Sequence, residues 1–323
     1  MKILVPGDDP PQIAGSPQLA RLEPHGDVTL YDNRPGSSEE KIARAGGFDI
    51  IINTRGAVDW RETELRALPS LKMIATCSIG TDMIDLDSAR ELGIVVSNQP
   101  GRTAPVVAEH MFGLMFTVAK RAAFQTREVA ENRWTRRMNL TVRGKVLGIV
   151  GAGNIGAEMA RLGNALGMEV IAWTFNPSPE RAGKLGVRFV ELRELLESAD
   201  YVSIHTALSD DTRGLIGRDE LRAMKADAVV LNGARGAVLD LDALAEVLAS
   251  GHLGGAGLDV FEEEPFVADH PVKKCEQVVF TPHAADQTPE GAELLNEGAV
   301  DNVLAFLAGE PRNNAAARPC SPP

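Results

Sequence analysis

Three residues of complementary chemistry, Arg235, Glu264 and His283, follow the loop Gly151-Ala152-Gly153-Asn154-Ile155-Gly156, each where an apolar run gives way to a loop. Reducing a 2-oxo acid needs a cation to hold the carboxylate and polarise the carbonyl. It also needs an acid to protonate the oxygen as hydride arrives, and a partner that keeps the acid charged near neutral pH. Arg235, in Asn232-Gly233-Ala234-Arg235-Gly236, carries a planar fork that suits a carboxylate. His283, in Thr281-Pro282-His283, is the candidate acid. Glu264, in Phe261-Glu262-Glu263-Glu264-Pro265, can raise the imidazole pKa and fix its tautomer. Singly, each has a plainer reading: a loop charge, a solvated acidic turn, a structural histidine. Their joint placement behind a dinucleotide-type loop favours catalysis.

That loop lies between the apolar run Lys145 to Val150 and a helical stretch, Asn154 to Leu166. Strand, glycine turn and helix are the context a dinucleotide fingerprint requires. Gly151 allows the turn, Gly153 lets amides approach a pyrophosphate, and Gly156 lets the helix pack on the sheet. Asn154 and Ile155 open the helix, whose N-terminal amides attract the anion. The expected cofactor is NAD or NADP. The next strand, Glu169 to Trp173, ends in Trp173-Thr174-Phe175-Asn176, with no carboxylate for the ribose hydroxyls. Thr174, Asn176 and Arg181 can all donate to a phosphate, which puts NADP beside NAD; the alternative leaves Arg181 a solvated helix charge. His205 stands either near the cofactor or in a structural role.

The chain has 323 residues, enough for two cores, and a net charge of -12. That acidity disfavours nucleic acid and anionic membrane surfaces as partners. Cys77, Cys275 and Cys320 form no metal-ligand spacing and fit a reducing compartment, so a cytoplasmic location is expected. Met1 to Gly7 reads as a first strand, not a signal peptide, and the apolar run Met111 to Ala119 is too short to cross a bilayer.

Strand and helix patterns alternate throughout. Strands are expected at Ile3–Val5, Val28–Tyr31, Ile50–Ile52, Lys72–Ala75, Ile94–Val96, Val146–Val150, Val170–Trp173, Tyr201–Ile204, Ala228–Leu231, Ala256–Asp259 and Val278–Phe280. This rhythm predicts an α/β fold of two Rossmann-like, doubly wound parallel-sheet domains. A long helix is expected from Ala104 to about Asn132. A final helix is expected with Thr288 as cap, Pro289 at its first position and Gly309 at its end. Residues 1–98 plus 288–323 are read as the substrate domain, with the cofactor domain, 99–287, inserted in it. The tail from Pro311 to Pro323 reads as disordered.

Several stretches carry a resemblance: Ser78-Ile79-Gly80-Thr81-Asp82, Val107-Ala108-Glu109-His110, Gly144 to Gly151, Ala199 to His205, Met224 to Ala228, the Arg235 loop, Gly257-Leu258-Asp259-Val260-Phe261 with Glu264-Pro265, and Pro282-His283. Over about residues 70 to 310 the chain resembles the D-isomer-specific 2-hydroxyacid dehydrogenases, which include phosphoglycerate, glyoxylate/hydroxypyruvate and D-lactate dehydrogenases. The resemblance implies Arg235 as substrate clamp, His283 as acid/base and Glu264 as its partner. It also implies cofactor contacts at Ala234 and at Asp259, near the nicotinamide amide. The Ser78-Ile79-Gly80 loop would bind the substrate carboxylate through the Ile79 and Gly80 amides, and Arg55 would meet the substrate's distal end. The family's subunits pair through the inserted domain, so a homodimer is expected, and Phe112 to Trp134 is apolar enough to support one.

Three departures stand out: Thr174 replaces the ribose-binding acid, Ala284-Ala285-Asp286 follows the histidine where small and hydroxyl residues are commoner, and no appended regulatory domain is expected. The favoured substrates are hydroxypyruvate and glyoxylate, then 3-phosphoglycerate. Two alternatives are a formate- or phosphite-type oxidoreductase, against which Glu264 counts because formate enzymes carry Gln there, and a non-enzymatic NAD(H)-sensing corepressor.

Overall fold

The computed structural model describes residues 1–266 and 269–317. Short runs of branched apolar residues form strands buried on both faces, as parallel sheets require. Five build one sheet: β1 (Lys2–Val5), β2 (Asp27–Leu30), β3 (Ile50–Thr54), β4 (Met73–Cys77) and β5 (Val95–Ser97), in the order β2-β1-β3-β4-β5. Seven build the other: β6 (Val146–Val150), β7 (Glu169–Trp173), β8 (Arg188–Phe189), β9 (Tyr201–Ile204), β10 (Val229–Asn232), β11 (Gly255–Leu258) and β12 (Val278–Phe280). Their order is β12-β11-β10-β9-β6-β7-β8, and every pairing in both sheets is parallel. Two Rossmann-like α/β domains result, each with its own parallel sheet.

The chain divides into two compact units. Among the described residues, Met1–Thr103 and 287–317 form the first, and Ala104–Asp286 the second. In the first, successive strand residues feed opposite faces. Ile3, Val5, Ile50 and Ile52 pack with Leu295, Ala299, Val300 and Val303 of the helix Pro289–Leu307, whereas Leu4, Ile51 and Ile74 pack with Trp60, Leu65 and Ile84. That helix begins as its sequence indicates: Thr288 Oγ1 accepts from the Gly291 amide at 2.9 Å and Pro289 is first. In the second unit, the helix Ala104–Ala119 lays Met111, Leu114, Met115 and Val118 against Leu147, Val229 and Leu231.

Two expectations need correction, and one strand was not expected. The helix from Ala104 does not run to Asn132. It stops at Ala119, Arg121 takes a left-handed conformation (φ 49), and a second helix covers Ala122–Ala130. Long-range bonds hold the break: Lys120 Nζ donates to the Leu140 carbonyl (2.8 Å) and Arg121 Nε to that of Met138 (2.9 Å). Strand β8, two residues at a sheet edge, gave no pattern to read. The tail is ordered as far as it is described. Ser97 and Asn314 form an antiparallel bridge, the Ala315 amide donates to Val96 O at 2.7 Å, and Ala316 is buried. The edge strand β5 supplies backbone partners that a Pro- and Asn-rich composition does not reveal. Residues 318–323 of that tail lie outside the described residues.

Candidate active site

Arg235 follows β10 through a turn built by Asn232. The buried Asn232 amide accepts from the Ala234 N–H (3.1 Å) and donates to the Arg235 carbonyl (3.1 Å). Arg235 Nη1 donates to Ala234 O at 2.7 Å. The next residue must be glycine, because a Cβ on Gly236 would fall 2.0 Å from the Phe261 carbonyl carbon and 2.2 Å from the Glu262 nitrogen. The Arg235 loop therefore lies flat against the loop that carries Glu264.

That second loop closes on itself. Glu264 Oε1 accepts from the Phe261 amide at 2.9 Å, and the Phe261 and Phe266 rings stack with centroids 4.4 Å apart. The other carboxylate oxygen meets His283 Nδ1 at 2.7 Å. A carboxylate only accepts, so Nδ1 carries a proton and Nε2 is left to exchange one. The Glu264 hydrogen bond holds the His283 imidazole above its ordinary pKa; burial and the Arg235 charge oppose it, and the Glu264 and Asp259 charges add to it. For Glu264 itself, burial is the strongest influence and acts upward. The His283 bond, the Phe261 amide and the His283 and Arg235 charges outweigh it and hold the carboxyl low. Both shifts favour a charged pair, and both record the Arg235 charge. Yet 48% of the His283 side chain remains open to solvent, so a small molecule can reach it.

His283 sits at φ 51, left-handed and uncommon for a residue with a Cβ. The Thr281 carbonyl accepts from His283 N (3.1 Å), and Asp259 supplies most of the rest. The carbonyl of Asp259 accepts from His283 N (2.7 Å), and its carboxylate accepts from Ala284 N (2.9 Å), Ala285 N (3.1 Å) and Thr281 Oγ1 (2.5 Å). Burial acts most strongly on Asp259 and pushes its pKa up, but hydrogen bonds from His110, Thr281 and Ala284 leave it below the ordinary value. The family resemblance implies Asp259 as a residue near the nicotinamide amide; its oxygens accept from the His283 turn. Asn232 and Thr281 were missed, because their partners are backbone groups or lie far away in the chain.

Further along the same carboxyl edge of the sheet, Gly151 turns out of β6 at φ +102, and a Cβ there would strike Thr206 N at 2.5 Å. Nothing stands within 4 Å of where a Gly153 Cβ would be, so that approach is open. The helix Asn154–Ala165 starts at Gly153 with no side-chain cap, leaving its first amides, including Asn154, Ile155 and Gly156, for an anion. These features fit a dinucleotide pyrophosphate. His205 is held by Ser203 (Oγ to Nε2, 2.7 Å), its buried Nδ1 has no partner among the described residues, and burial pushes its pKa down to about 3, which keeps it neutral.

Beyond β7, Thr174 is half-buried and Asn176 exposed. Arg181 lies in the helix Pro179–Leu185, capped by Ser178, and its guanidinium reaches back to the glycine loop: Nη2 donates to Ala152 O at 3.0 Å and Nη1 to Asn176 O. It is not a freely solvated charge.

The remaining candidates belong to the first unit. The carbonyls of Ser78, Ile79 and Gly80 are occupied by Gln99 N (3.0 Å), Asn98 Nδ2 (2.7 Å) and Ser78 Oγ (2.8 Å). The Ile79 and Gly80 amides have no acceptor among the described residues and suit an anionic ligand. Arg55, at φ 49, donates to Gln287 Oε1.

Parallel sheets, a glycine-turn anion cradle and a glutamate-backed histidine beside an arginine define a nicotinamide-dependent oxidoreductase. The family model of the D-isomer specific 2-hydroxyacid dehydrogenase NAD binding domain matches residues 112–285. Glyoxylate reductase of Korarchaeum cryptofilum is 36% identical over 300 residues, 90% of each chain. An acyclic imino acid reductase (Bsp5) solved with NADPH and D-Arg aligns with TM-score 0.88 at 28% identity, over 97% of this chain and 99% of that one. D-lactate dehydrogenase of Aquifex aeolicus, solved with NAD and lactic acid, aligns with TM-score 0.85 at 26% identity, over 99% of this chain and all of the other. The chain belongs to the D-isomer specific 2-hydroxyacid dehydrogenase family. It is an enzyme that links a nicotinamide cofactor to the interconversion of 2-oxo and 2-hydroxy acids.

Proposed function

We propose that this enzyme reduces small 2-oxo acids, glyoxylate and hydroxypyruvate first and 3-phosphoglycerate's oxo counterpart next, with NADPH accepted beside NADH. The observation that carries the reading is the 2.7 Å His283–Glu264 pair within the field of Arg235. Arg235 holds the substrate carboxylate and polarises the carbonyl. His283 Nε2 delivers the proton to the carbonyl oxygen, and takes it back in the oxidative direction. Glu264 keeps the imidazole charged and oriented. The bound nicotinamide supplies the hydride. The Ile79 and Gly80 amides hold the carboxylate, Ser78 closes their loop, and Arg55 meets the far end of the substrate. Asp259 and Ala234 shape the nicotinamide end through the turns they hold, and His205 lines the glycine loop.

For the cofactor, Arg181 is held against the glycine loop by two carbonyls with further N–H groups to offer, and no acid stands at Thr174. Both features favour a 2′-phosphate. The relative solved with NADPH supports that choice, and the one solved with NAD supports NADH beside it. A panel of 2-oxo acids, scored by loss of NADH or NADPH absorbance, tests both parts. No turnover with glyoxylate or hydroxypyruvate would refute the substrate assignment, and a strong NADH preference would refute the phosphate role of Arg181.

We also assign a homodimer, formed through the arm that follows the helix Ala122–Ala130. Glu128 folds this arm back by accepting from Arg133 Nε (3.0 Å) and Thr135 Oγ1 (2.6 Å), while Trp134 and Met138 stand 78% and 88% exposed. Large apolar groups presented on an anchored arm suit a second copy. Light scattering is expected to give twice the monomer mass; a monomer at micromolar concentration would refute it. No described helix is long and apolar enough to cross a membrane. The free Cys77 and Cys275 support the cytoplasm as its location.

A further inference from the structure

The Asp259 clamp continues inward to a residue that the reaction described above does not use. His110, on the helix Ala104–Ala119, brings Nε2 within 3.0 Å of Thr281 Oγ1 and 3.4 Å of Asp259 Oδ1. The directions of these bonds follow from a count of protons. The Thr281 hydroxyl has one proton, and its 2.5 Å contact is with a carboxylate that only accepts. That proton therefore points at Asp259. The contact between His110 and Thr281 must then be donated by His110 Nε2. His110 thus supplies a hydrogen to a chain that runs through Thr281 to Asp259 and on to the backbone of 283–285.

The charged groups around this chain are few. Asp259 is the ionisable group that meets His110, and Glu264, Arg235 and Asp259 are those that act on His283. A left-handed non-glycine residue persists only where its surroundings over-determine it. Asp259 has four bonds to the turn or its hydroxyl, and it keeps its orientation only while the buried side facing His110 is also satisfied.

We propose that His110 is a positioning residue: through Thr281 and Asp259 it sets the turn that presents His283 to Glu264. This rests on His283 being the acid of the reaction. It predicts that loss of the His110 donor is felt at an imidazole reached only through two intervening residues.

The test uses the full chain with glyoxylate and NADPH, and four variants: His110→Leu and Thr281→Val remove the link, while His110→Gln and Thr281→Ser preserve a donor or a hydroxyl. The first pair should lower kcat by about 10- to 100-fold, the scale expected when a catalytic group is misplaced by an ångström. They should also move the alkaline loss of reduction to lower pH, because a misaligned Glu264 supports the imidazole less. The conservative pair should recover most of both. In a His283→Ala background, His110→Leu should change the residual rate by less than about twofold, since coupled residues are not additive. A native rate and pH profile in both His110→Leu and Thr281→Val would overturn the proposal. So would lowered rate and melting temperature with an unmoved pH profile and no recovery in His110→Gln and Thr281→Ser. Should His110→Leu not fold, the Thr281 pair gives the same reading. Near-native activity in His283→Ala would instead refute the acid assignment itself, which separates the two failures.

Discussion

The two ends of the carboxyl edge of the seven-stranded sheet are built on different principles. Where β10, β11 and β12 run out, side chains hold side chains and turns: Asn232 sets the Arg235 loop, Asp259 sets the His283 turn, and Glu264 meets His283. Where β6 and β7 run out, the holding is done mostly by backbone and by the lack of side chains. Gly151 turns under His205 and Thr206, uncapped amides open the following helix, and one guanidinium spans Ala152 and Asn176. The catalytic end is a closed network in which each polar group depends on another, so changes there are costly. On the proposed reading, cofactor preference hangs on one long side chain and one missing carboxylate, and so should change without touching the chemistry.

Substitutions at the two ends should differ accordingly. His283→Ala should lower turnover by roughly 10²–10⁴-fold, the worth of a positioned general acid; near-native turnover would remove His283 from the mechanism. Arg235→Lys keeps a charge but loses the fork, and should cost roughly 10²–10³-fold in kcat/KM for the 2-oxo acid, as for loss of a polarising donor. A loss under tenfold would mean that the planar geometry of Arg235 is not used. At the other end, Arg181→Ala should raise KM for NADPH about tenfold, the value of one charge-assisted bond, while KM for NADH stays within about twofold. Equal effects on both cofactors would show Arg181 to be a brace for the glycine loop. Thr174→Asp should have the smallest effect on turnover, changing kcat with NADH less than about threefold while weakening NADPH by charge repulsion. Unchanged NADPH affinity would place the 2′-position elsewhere.

The same contrast sets what could be read from the sequence. That Arg235, Glu264 and His283 come together is legible because charged groups at the ends of apolar runs stand out, and the glycine loop because its spacing carries its own geometry. The final helix was legible from Thr288, Pro289 and Gly309. The network beneath was not. Asp259 bonds to backbone amides, which have no residue identity, and to Thr281, 22 positions away, while His110, which approaches it, lies 149 positions away. Arg121 is an ordinary residue forced left-handed by carbonyls at 138 and 140. The ordered part of the tail depends on a sheet edge that its composition cannot announce.

The most direct measurement is the pH dependence of kcat/KM for 2-oxo acid reduction in the native chain and in Glu264→Gln. Reduction requires the protonated imidazole, so activity is full below the His283 pKa and is lost as pH rises through it. The Glu264 bond raises that pKa from its ordinary 6.5, so the native loss should fall above that value. Glu264→Gln removes the supporting charge and should move the loss to lower pH, with the onset of alcohol oxidation moving the same way. Identical profiles in the two proteins would contradict a glutamate-backed histidine as the acid of this enzyme.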